Sequence, residues 1–407
     1  MKGDTVFGRR RLLMSRRDLD TGSSVRASSR VLLSVVVILA VLIVVGCGGG
    51  SDQPSTEGFD PPRRVNLAIG PYLDDSPQWL AHELGIDKDI GLDLNISVLA
   101  ATGDALRGLR QGSLDMAYSC HACIPSVVKE YPELRAFQMK TEFKGYVVVG
   151  RRGEAQTYQE LIDAGKSEEE AKMELLNGFR GKTFTLAAVT YAPVVRGALE
   201  AVGLPGDEVK FNELPNDAQA GLAFLRGTGD YFLGSLPQMM KLLLDNEDKF
   251  VEVGGHSVLG PGALFYVNVV TNQSWLEKNR EVALRFAAMW YRAVRYVNEK
   301  PDVAIPIMKK FINDKAAAGF SDEEIAFIIE KFIRFPTIEY AKEHQYNPND
   351  AELYWEGPAK FLFEQQKSLL PKNFTYEDFK AMLQEQEFFE ELQSREDLME
   401  WVNSDLT

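Results

Sequence analysis

Cysteine and histidine side chains, which can ligate metals or exchange disulfides, occur together at one place in the sequence. Cys120-His121-Ala122-Cys123 places two thiols and one imidazole within four residues. This spacing permits a local disulfide or a zinc, copper or iron site, and the same side chains could contact a bound ligand. A structural zinc site usually needs four ligands. Only His82, His256 and His344 remain to supply another imidazole. The residues alone leave these alternatives open.

The third cysteine, Cys47, follows an apolar segment near the N-terminus. Residues 31–45 form a run of 15 residues that is apolar except for Ser34, preceded by seven arginines and followed by Gly46. A basic head, an apolar run and a small residue before cysteine resemble the lipobox of bacterial lipoproteins, whose cysteine is lipidated after the upstream peptide is removed. The alternative, a membrane-spanning anchor, needs about 20 apolar residues. We therefore predict a signal peptide at residues 1–46 and lipidation of Cys47. Arg16-Arg17 leaves the choice between general and twin-arginine export open.

Charge and length narrow the class of protein. The 407 residues carry 45 basic and 59 acidic side chains, a net charge of −14. Without residues 1–46, the remaining 361 residues carry 37 basic and 56 acidic side chains, a net charge of −19. Such an acidic surface argues against a nucleic-acid partner, whose phosphates need lysine and arginine. A chain of this length exceeds one compact core, so two lobes are predicted. Residues 47–62, rich in Gly, Ser, Asp and Pro, predict a flexible tether.

Predicted strands and helices alternate along most of the chain. Alternating apolar residues predict strands at 65–69, 92–99 and 114–118. Ser76-Pro77 and Thr102 are favourable helix starts between them. Alternation of this kind predicts parallel strands joined by right-handed crossovers.

The same order repeats downstream. Strands are predicted at 182–189, 209–214 and 231–233, separated by helices that begin at Ala192 and Ala218. After a further strand at 264–270, the chain from Trp275 onward is almost wholly helical in pattern. We therefore predict an α/β protein of two lobes, each a mostly parallel sheet flanked by helices, with a helical C-terminal region.

Several motifs, taken in order, resemble a known family. Residues 109–117 follow the pattern Leu-x-x-Gly-x-x-Asp-x-Ala, and residues 225–232 repeat this theme. Residues 265–304 join a strand to a long helix. Together with the opening strand, loop and helix, these motifs resemble periplasmic solute-binding proteins of ABC importers, in the group that binds sulfonates, nitrate and thiamine precursors. The resemblance covers roughly residues 63–390.

This resemblance implies a type II periplasmic-binding-protein fold, in which two lobes close over a ligand by a hinge motion and dock on a membrane permease. The implied division is 63–142 with 253–345 as lobe 1, 143–252 as lobe 2, and 346–407 as a helical region packed on lobe 1. The chain is expected to cross between lobes near 138–144 and 249–254. The protein is expected to be a monomer without cofactor or metal, anchored to the membrane through Cys47 and facing the periplasm or the extracellular side.

The expected function is the substrate-binding component of an ABC importer for a small organic nutrient, and not an enzyme. One alternative is a metal-dependent or synthase-like enzyme that uses Cys120, His121 and Cys123. Another is an alkanesulfonate or nitrate binder.

Ligands of such folds lie at the carboxyl ends of parallel strands and at the first turns of helices. The residues predicted on this ground to contact the ligand are Tyr72, Asp74, Asp75, Ser76, Thr102, Gly103, Ser119, Cys120, His121, Thr190, Tyr191, Ala192, Ser235, Tyr266 and Asn268. Simpler roles are available to some of them. Ser76 and Thr102 could serve only as helix caps, Asp74 and Asp75 as solvated turn residues, and Tyr72 as a surface residue.

The charge of these loops bears on the type of ligand. They contain Asp74, Asp75 and Asp104, and the nearest cation is Arg107, one turn into its helix. Sulfonate and nitrate need hydrogen-bond donors and often a cation. Acidic and aromatic groups instead suit an amine or a nitrogen-rich heterocycle. A thiamine-pyrimidine precursor is therefore the expected ligand.

Overall fold

The computed structural model describes residues 61–187, 191–215, 217–234 and 236–406. The predicted signal peptide, Cys47 and all but the last two residues of the predicted tether lie outside these ranges. Among the described helices, none has the length and apolar character needed to cross a bilayer.

The described strands form two sheets. The strands are β1 (Arg63–Ile69), β2 (Leu92–Val98), β3 (Met116–Cys120), β4 (Leu134–Phe143), β5 (Val148–Arg151), β6 (Thr183–Ala187), β7 (Lys210–Leu214), β8 (Tyr231–Leu233), β9 (Phe250–Gly254), β10 (Phe265–Asn272) and β11 (Ile333–Arg334). Sheet A has the order β11-β4-β10-β3-β1-β2, and sheet B has the order β7-β6-β8-β5-β9. The predicted α/β class with two sheets is confirmed.

Both sheets are mixed, whereas mostly parallel sheets were predicted. In sheet A, β1 runs parallel to β2 and β3, but β10 is antiparallel to β3 and β4. In sheet B, β6 is parallel to β7 and β8, but β5 is antiparallel to β8 and β9. The antiparallel strands flank the places where the chain passes from one sheet to the other. Antiparallel pairing there does without the long helical crossover that a parallel pair requires.

Helices cover both sheets and make up most of the C-terminal third. They are α1 (Ser76–Glu83), α2 (Ile86–Asp89), α3 (Thr102–Arg110), α4 (Tyr158–Asp163), α5 (Glu168–Gly178), α6 (Ala192–Glu200), α7 (Asp217–Leu225), α8 (Leu236–Leu243), α9 (His256–Leu259), α10 (Gln273–Lys278), α11 (Arg280–Glu299), α12 (Pro301–Ala316), α13 (Asp322–Lys331), α14 (Ile338–Tyr340), α15 (Glu356–Gln365), α16 (Tyr376–Lys380), α17 (Glu385–Ser394) and α18 (Glu396–Asn403). Helix α11 supplies much of the core, because it buries an apolar face that includes Phe286, Trp290 and Val294.

The chain passes between the sheets twice. The passages are residues 144–147, between β4 and β5, and residues 255–264, between β9 and β10. The predicted positions were 138–144 and 249–254. The first passage shares only Lys144 with its prediction and the second lies C-terminal to it, because most of the predicted residues are paired within β4 and β9. Helix α17 packs against β4 and α11, so the C-terminal helices belong to the same compact unit as sheet A.

Candidate functional site

A cavity of about 470 Å³ is lined by residues from both sheets. Its lining includes Tyr72, Leu73, Asp74, Asp75, Ala100, Ala101, Thr102, Tyr118, Ser119, Cys120, Cys123, Phe143, Tyr146, Ala187, Tyr191, Pro215, Asp217, Leu236, Phe265, Val267, Ile312, Phe320, Ile328 and Ile333. Most of the polar members follow the carboxyl ends of β1, β2, β3, β6 and β7. That is where α/β sheets generally bind ligands, so we identify this cavity as the cleft.

Aromatic rings form the walls of the cleft. The rings of Tyr72 and Tyr118 meet edge to face with centroids 6.0 Å apart. The Tyr146 ring lies 5.4 Å from that of Tyr191 and 5.0 Å from that of Phe143. Such rings offer flat apolar faces on which a planar ligand can stack.

Three of these tyrosine hydroxyls donate hydrogen bonds to other groups of the protein. Tyr72 donates to the carbonyl oxygen of Ala100 at 3.0 Å, and Tyr118 donates to that of Leu99 at 2.7 Å. Tyr191 donates to Oδ2 of Asp217 at 2.9 Å. Burial and the neighbouring carboxylates raise the pKa of Tyr72 to about 12, so its hydroxyl remains protonated. The rings are therefore fixed in place.

Two adjacent carboxylates at the end of β1 differ in their environments. Asp75 is fully buried, pairs with the Lys140 ammonium, and accepts from the main-chain N–H of Gly70 at 2.7 Å. Oδ1 of Asp74 is also buried, but no donor in the described part of the chain reaches it. Burial, together with repulsion from Asp75, raises the pKa of Asp74 to about 7, although Lys140 acts in the opposite direction.

The cleft contains no lysine or arginine side chain among the described residues that line it. Arg107 instead pairs with the exposed Asp104 at 2.9 Å. Lys140 lies behind the lining and is committed to Asp75. The electrostatic environment of the cleft is consequently acidic, as the loop sequences predict.

Cys120 and Cys123 form a disulfide, and both line the cleft. The sequence left open a disulfide, a metal site or a ligand contact for these cysteines, and the structure contains the disulfide. Oxidised sulfurs are not the thiolates that a metal site or a cysteine nucleophile uses. Within the described residues, no group of three His, Cys, Asp or Glu side chains is placed to hold a metal ion.

His121 points away from the cleft, toward the C-terminal helices. Its Nε2 lies 2.9 Å from Oε1 of Glu385, which also accepts from Nδ2 of Asn268 at 2.5 Å. All three side chains are almost completely buried. Tyr266 lies nearby, where its hydroxyl donates to the carbonyl oxygen of Leu353 at 2.6 Å. His121, Asn268 and Tyr266 thus connect sheet A to the C-terminal region and do not line the cleft.

Some of the other residues predicted to contact the ligand line the cleft, and others do not. Tyr72, Asp74, Asp75, Thr102, Ser119, Cys120 and Tyr191 line the cleft. Ser76 is buried and donates to the carbonyl oxygen of Leu73 at 2.6 Å, which is a local turn contact. Gly103 and Ala192 lie in the first turns of α3 and α6, outside the lining. Thr190 and Ser235 lie outside the described residues.

Several lining residues were not predicted. Asp217 is the first residue of α7, the helix that follows β7, so the rule of strand carboxyl ends could have identified it. Tyr146 lies in the first passage between the sheets, after β4. Ile312, Phe320 and Ile328 come from the region of α12 and α13, and their local sequence carries no signal for this placement.

A second cavity, of about 530 Å³, lies beside the first passage between the sheets. Its buried carboxylate, Glu142, accepts from the Tyr340 hydroxyl at 3.0 Å and pairs with Lys144 at 3.2 Å. The first cavity is the better candidate, because both sheets contribute strand ends to it.

Comparison with known proteins identifies a family and a fold. Residues 59–309 match the sequence model of the NMT1-like family. No curated protein sequence is significantly similar to the chain.

Solved structures share the fold. The periplasmic aliphatic sulphonate-binding protein SsuA from Escherichia coli superposes with a TM-score of 0.59 at 16% identity, covering 81% of this chain and 99% of that one. A ligand-binding component of an ABC-type import system from Staphylococcus aureus gives 0.55 at 14%, covering 81% and 99%. The periplasmic nitrate-binding protein NrtA from Synechocystis gives 0.54 at 14%, covering 84% and 92%. At these identities, the likeness shows the periplasmic-binding-protein fold and does not extend to the ligand.

Proposed function

The chain belongs to the NMT1-like family, and we propose that it is the solute-binding component of an ABC importer, not an enzyme. It captures a small organic nutrient in the cleft and delivers it to a membrane permease. The observation that carries this proposal is a single cavity lined by the strand ends of two sheets that are joined by two chain passages. A ligand bound there would contact both lobes, and its binding energy would favour the closed arrangement.

The proposed lobes correspond to the two sheets, except that Phe143 of sheet A falls in lobe 2 and residues 253–254 of sheet B fall in lobe 1. Lobe 1 comprises residues 63–142 and 253–345, lobe 2 comprises residues 143–252, and residues 346–407 pack on lobe 1. The two passages, 144–147 and 255–264, are the proposed hinge. Such a protein acts as a monomer that presents both lobes to the permease.

The proposed cargo carries nitrogen donors, as a thiamine-pyrimidine precursor does. Support comes from the aromatic walls, the carboxylates of Asp74 and Asp217, and a described lining without a cation. A sulfonate or nitrate would face these carboxylates without a compensating positive charge. The cleft therefore favours a planar, donor-rich molecule over an anion.

The experiment is native mass spectrometry of the full protein extracted from its membranes. The expected result is a small nitrogenous molecule bound to the protein in a 1:1 ratio. The variant Ala101→Trp places a large ring at an exposed lining position and should abolish this adduct, whereas Ala201→Trp, exposed outside the lining, should retain it. An adduct that survives Ala101→Trp, or a metal ion in its place, would contradict the proposal.

Membrane anchoring through Cys47 completes the proposed role, because it keeps the binding protein beside its permease. The Cys47→Ser variant should leave the membrane fraction, and the N-terminal peptide of the wild-type protein should carry the mass of a lipid. A wild-type chain that retains residues 1–46 would be anchored by a spanning segment and would refute the lipoprotein proposal.

A further inference from the structure

The carboxylates that line the cleft differ in how far the protein already satisfies them. Asp75 has the Lys140 ammonium on one oxygen and the N–H of Gly70 on the other. Asp217 accepts from the Tyr191 hydroxyl on Oδ2, and its Oδ1 is also buried. Oδ1 of Asp74 is buried and has no donor within the described ranges. A buried acceptor without a donor is costly, so Asp74 is the carboxylate with the most to gain from a bound ligand.

The backbone around Asp74 is fixed, which gives its side chain a defined direction. Asp74 lies in a short 3₁₀ helix, Leu73–Asp75, directly after β1. The Thr141 hydroxyl on β4 is 3.4 Å from the carbonyl oxygen of Asp74. The side chain itself lines the cleft. An approaching ligand would therefore meet a carboxylate that is already positioned.

The charged and titratable neighbours do not neutralise Asp74. On its own segment it faces Tyr72 and Asp75, and across the cleft lie Tyr146 and Asp217. Among the described residues, the one cation that acts on it is Lys140 on β4, whose ammonium is held by Asp75. When its amide is oriented to satisfy both neighbours, Gln78 also accepts from Lys140 Nζ at 3.2 Å. Within the described residues no further cation acts on Asp74, so a cationic ligand could supply the charge that its ionised form lacks.

We propose that Asp74 is the specificity-determining residue of the cleft and selects cargo that presents a protonated amine or amidine-like N–H group. This inference rests on the proposed function, because it assigns a role within the same cleft. Asp75, by contrast, maintains the structure. The cargo stacks between the tyrosine rings while its cationic group donates to Oδ1 of Asp74.

The ionisation of Asp74 makes this selection dependent on pH. Its raised pKa, about 7, means that the empty cleft holds a mixture of neutral and ionised Asp74 near neutral pH. A cation binds the ionised form, so its affinity increases as the pH rises through 7 and binding lowers the pKa of Asp74. An anion binds the neutral form and shows the opposite slope.

The test uses three probes that share one ring and differ in charge: benzamidine, benzamide and benzoate. Their dissociation constants are measured by calorimetry between pH 5.5 and 8.5 on the full protein after removal of co-purified ligand, with Asp74→Asn and Asp248→Asn as variants. Asp248 is exposed and outside the lining, so its variant removes the same charge from elsewhere. We expect benzamidine to bind the wild type at least about tenfold more tightly than benzamide at high pH. Asp74→Asn should abolish this preference and the pH slope, and Asp248→Asn should retain both.

Other results would overturn the inference. Benzoate binding as tightly as benzamidine, an unchanged preference in Asp74→Asn, or no benzamidine binding to the wild type would each do so. The proposed function is tested separately, by the native mass spectrometry described above. If the native cargo proves neutral or anionic, the protein keeps its role as a binding protein, while Asp74 loses the role assigned to it.

Discussion

The Lys140 ammonium and the Asp75 carboxylate form an ion pair that is excluded from solvent at the floor of the cleft. Both side chains are fully buried. Lys140 comes from β4, which lies between β11 and β10 in sheet A, and Asp75 from the turn after β1, so the pair joins two segments that are 65 residues apart. The Trp290 ring lies 5.9 Å from the ammonium and closes the site on the side of α11. The pair therefore sets the position of the turn that carries Asp74.

Removing either member of this pair should destabilise the protein strongly. Asp75→Asn and Lys140→Met each leave one uncompensated buried charge, which costs about 3–5 kcal/mol of unfolding free energy. The double variant should cost less than the sum of the two, because it removes both charges. Urea unfolding of the full protein measures these differences. Lys310→Met, which breaks an exposed ion pair on α12, should have little effect. If the single variants have the same urea midpoint of unfolding as the wild type, the pair contributes nothing to the unfolding free energy.

The general position of the cleft could be predicted from the sequence because strand ends can be read from local patterns. Tyr72, Thr102 and Tyr191 follow strands that apolar alternation identifies, and all three line the cavity. The same rule was extended to Tyr266 and Asn268. Those side chains lie on the side of β10 that the C-terminal helices cover. Which face of a strand meets the cleft depends on its partners in the sheet, and a sequence pattern does not contain that information.

Contacts between distant segments were beyond prediction for a similar reason. His121 and Glu385 are 264 residues apart, and nothing in the sequence near either residue points to the other. The disulfide, in contrast, was among the sequence alternatives because its cysteines are only three positions apart. Local chemistry could thus be foreseen, whereas the particular contact between His121 and Glu385 could not.

Glu385 should hold the C-terminal helices on sheet A. Glu385→Ala removes the acceptor that both His121 and Asn268 use in a buried space, so we expect a loss of about 1–3 kcal/mol and earlier proteolytic cleavage after residue 345. Thermal unfolding and limited proteolysis measure these effects. Glu385→Gln keeps an acceptor oxygen and should retain most of the stability. An equal loss in both variants would show that the charge, and not the acceptor, maintains the contact.

The disulfide should stabilise the wall of the cleft modestly. Cys120 and Cys123 close a very short loop, and the loop-closure relation gives about 2 kcal/mol for a loop of this length. The Cys120→Ser/Cys123→Ser variant should therefore unfold at a slightly lower temperature than the oxidised wild type. A reductant should lower the melting temperature of the wild type and leave that of the variant unchanged. Alkylation of Cys120 and Cys123 without prior reduction, detected by mass, would show that they are free thiols.

Asp74 should reduce the stability of the empty protein at neutral and higher pH. Its pKa is 3.8 in an ordinary setting and about 7 in the folded protein, so the folded state binds more protons between these values. Stability that is present below pH 4 is therefore lost progressively as the pH rises to 7, and the loss is complete above it. The shift corresponds to about 2–4 kcal/mol after allowance for solvent access.

Asp74→Asn removes this ionisation and isolates its effect. The variant should match the wild type near pH 4 and exceed its unfolding free energy by that amount at pH 8, as measured by urea unfolding of the ligand-free protein. Asp248→Asn, at an exposed position, should follow the wild-type curve throughout. Parallel curves for Asp74→Asn and the wild type between pH 4 and 8 would mean that the Asp74 carboxylate is solvated. It would then lack the unsatisfied buried oxygen from which its selectivity was inferred. A widening gap, combined with loss of benzamidine binding in the same variant, would show that the residue that destabilises the empty cleft is also the one that recognises the cargo.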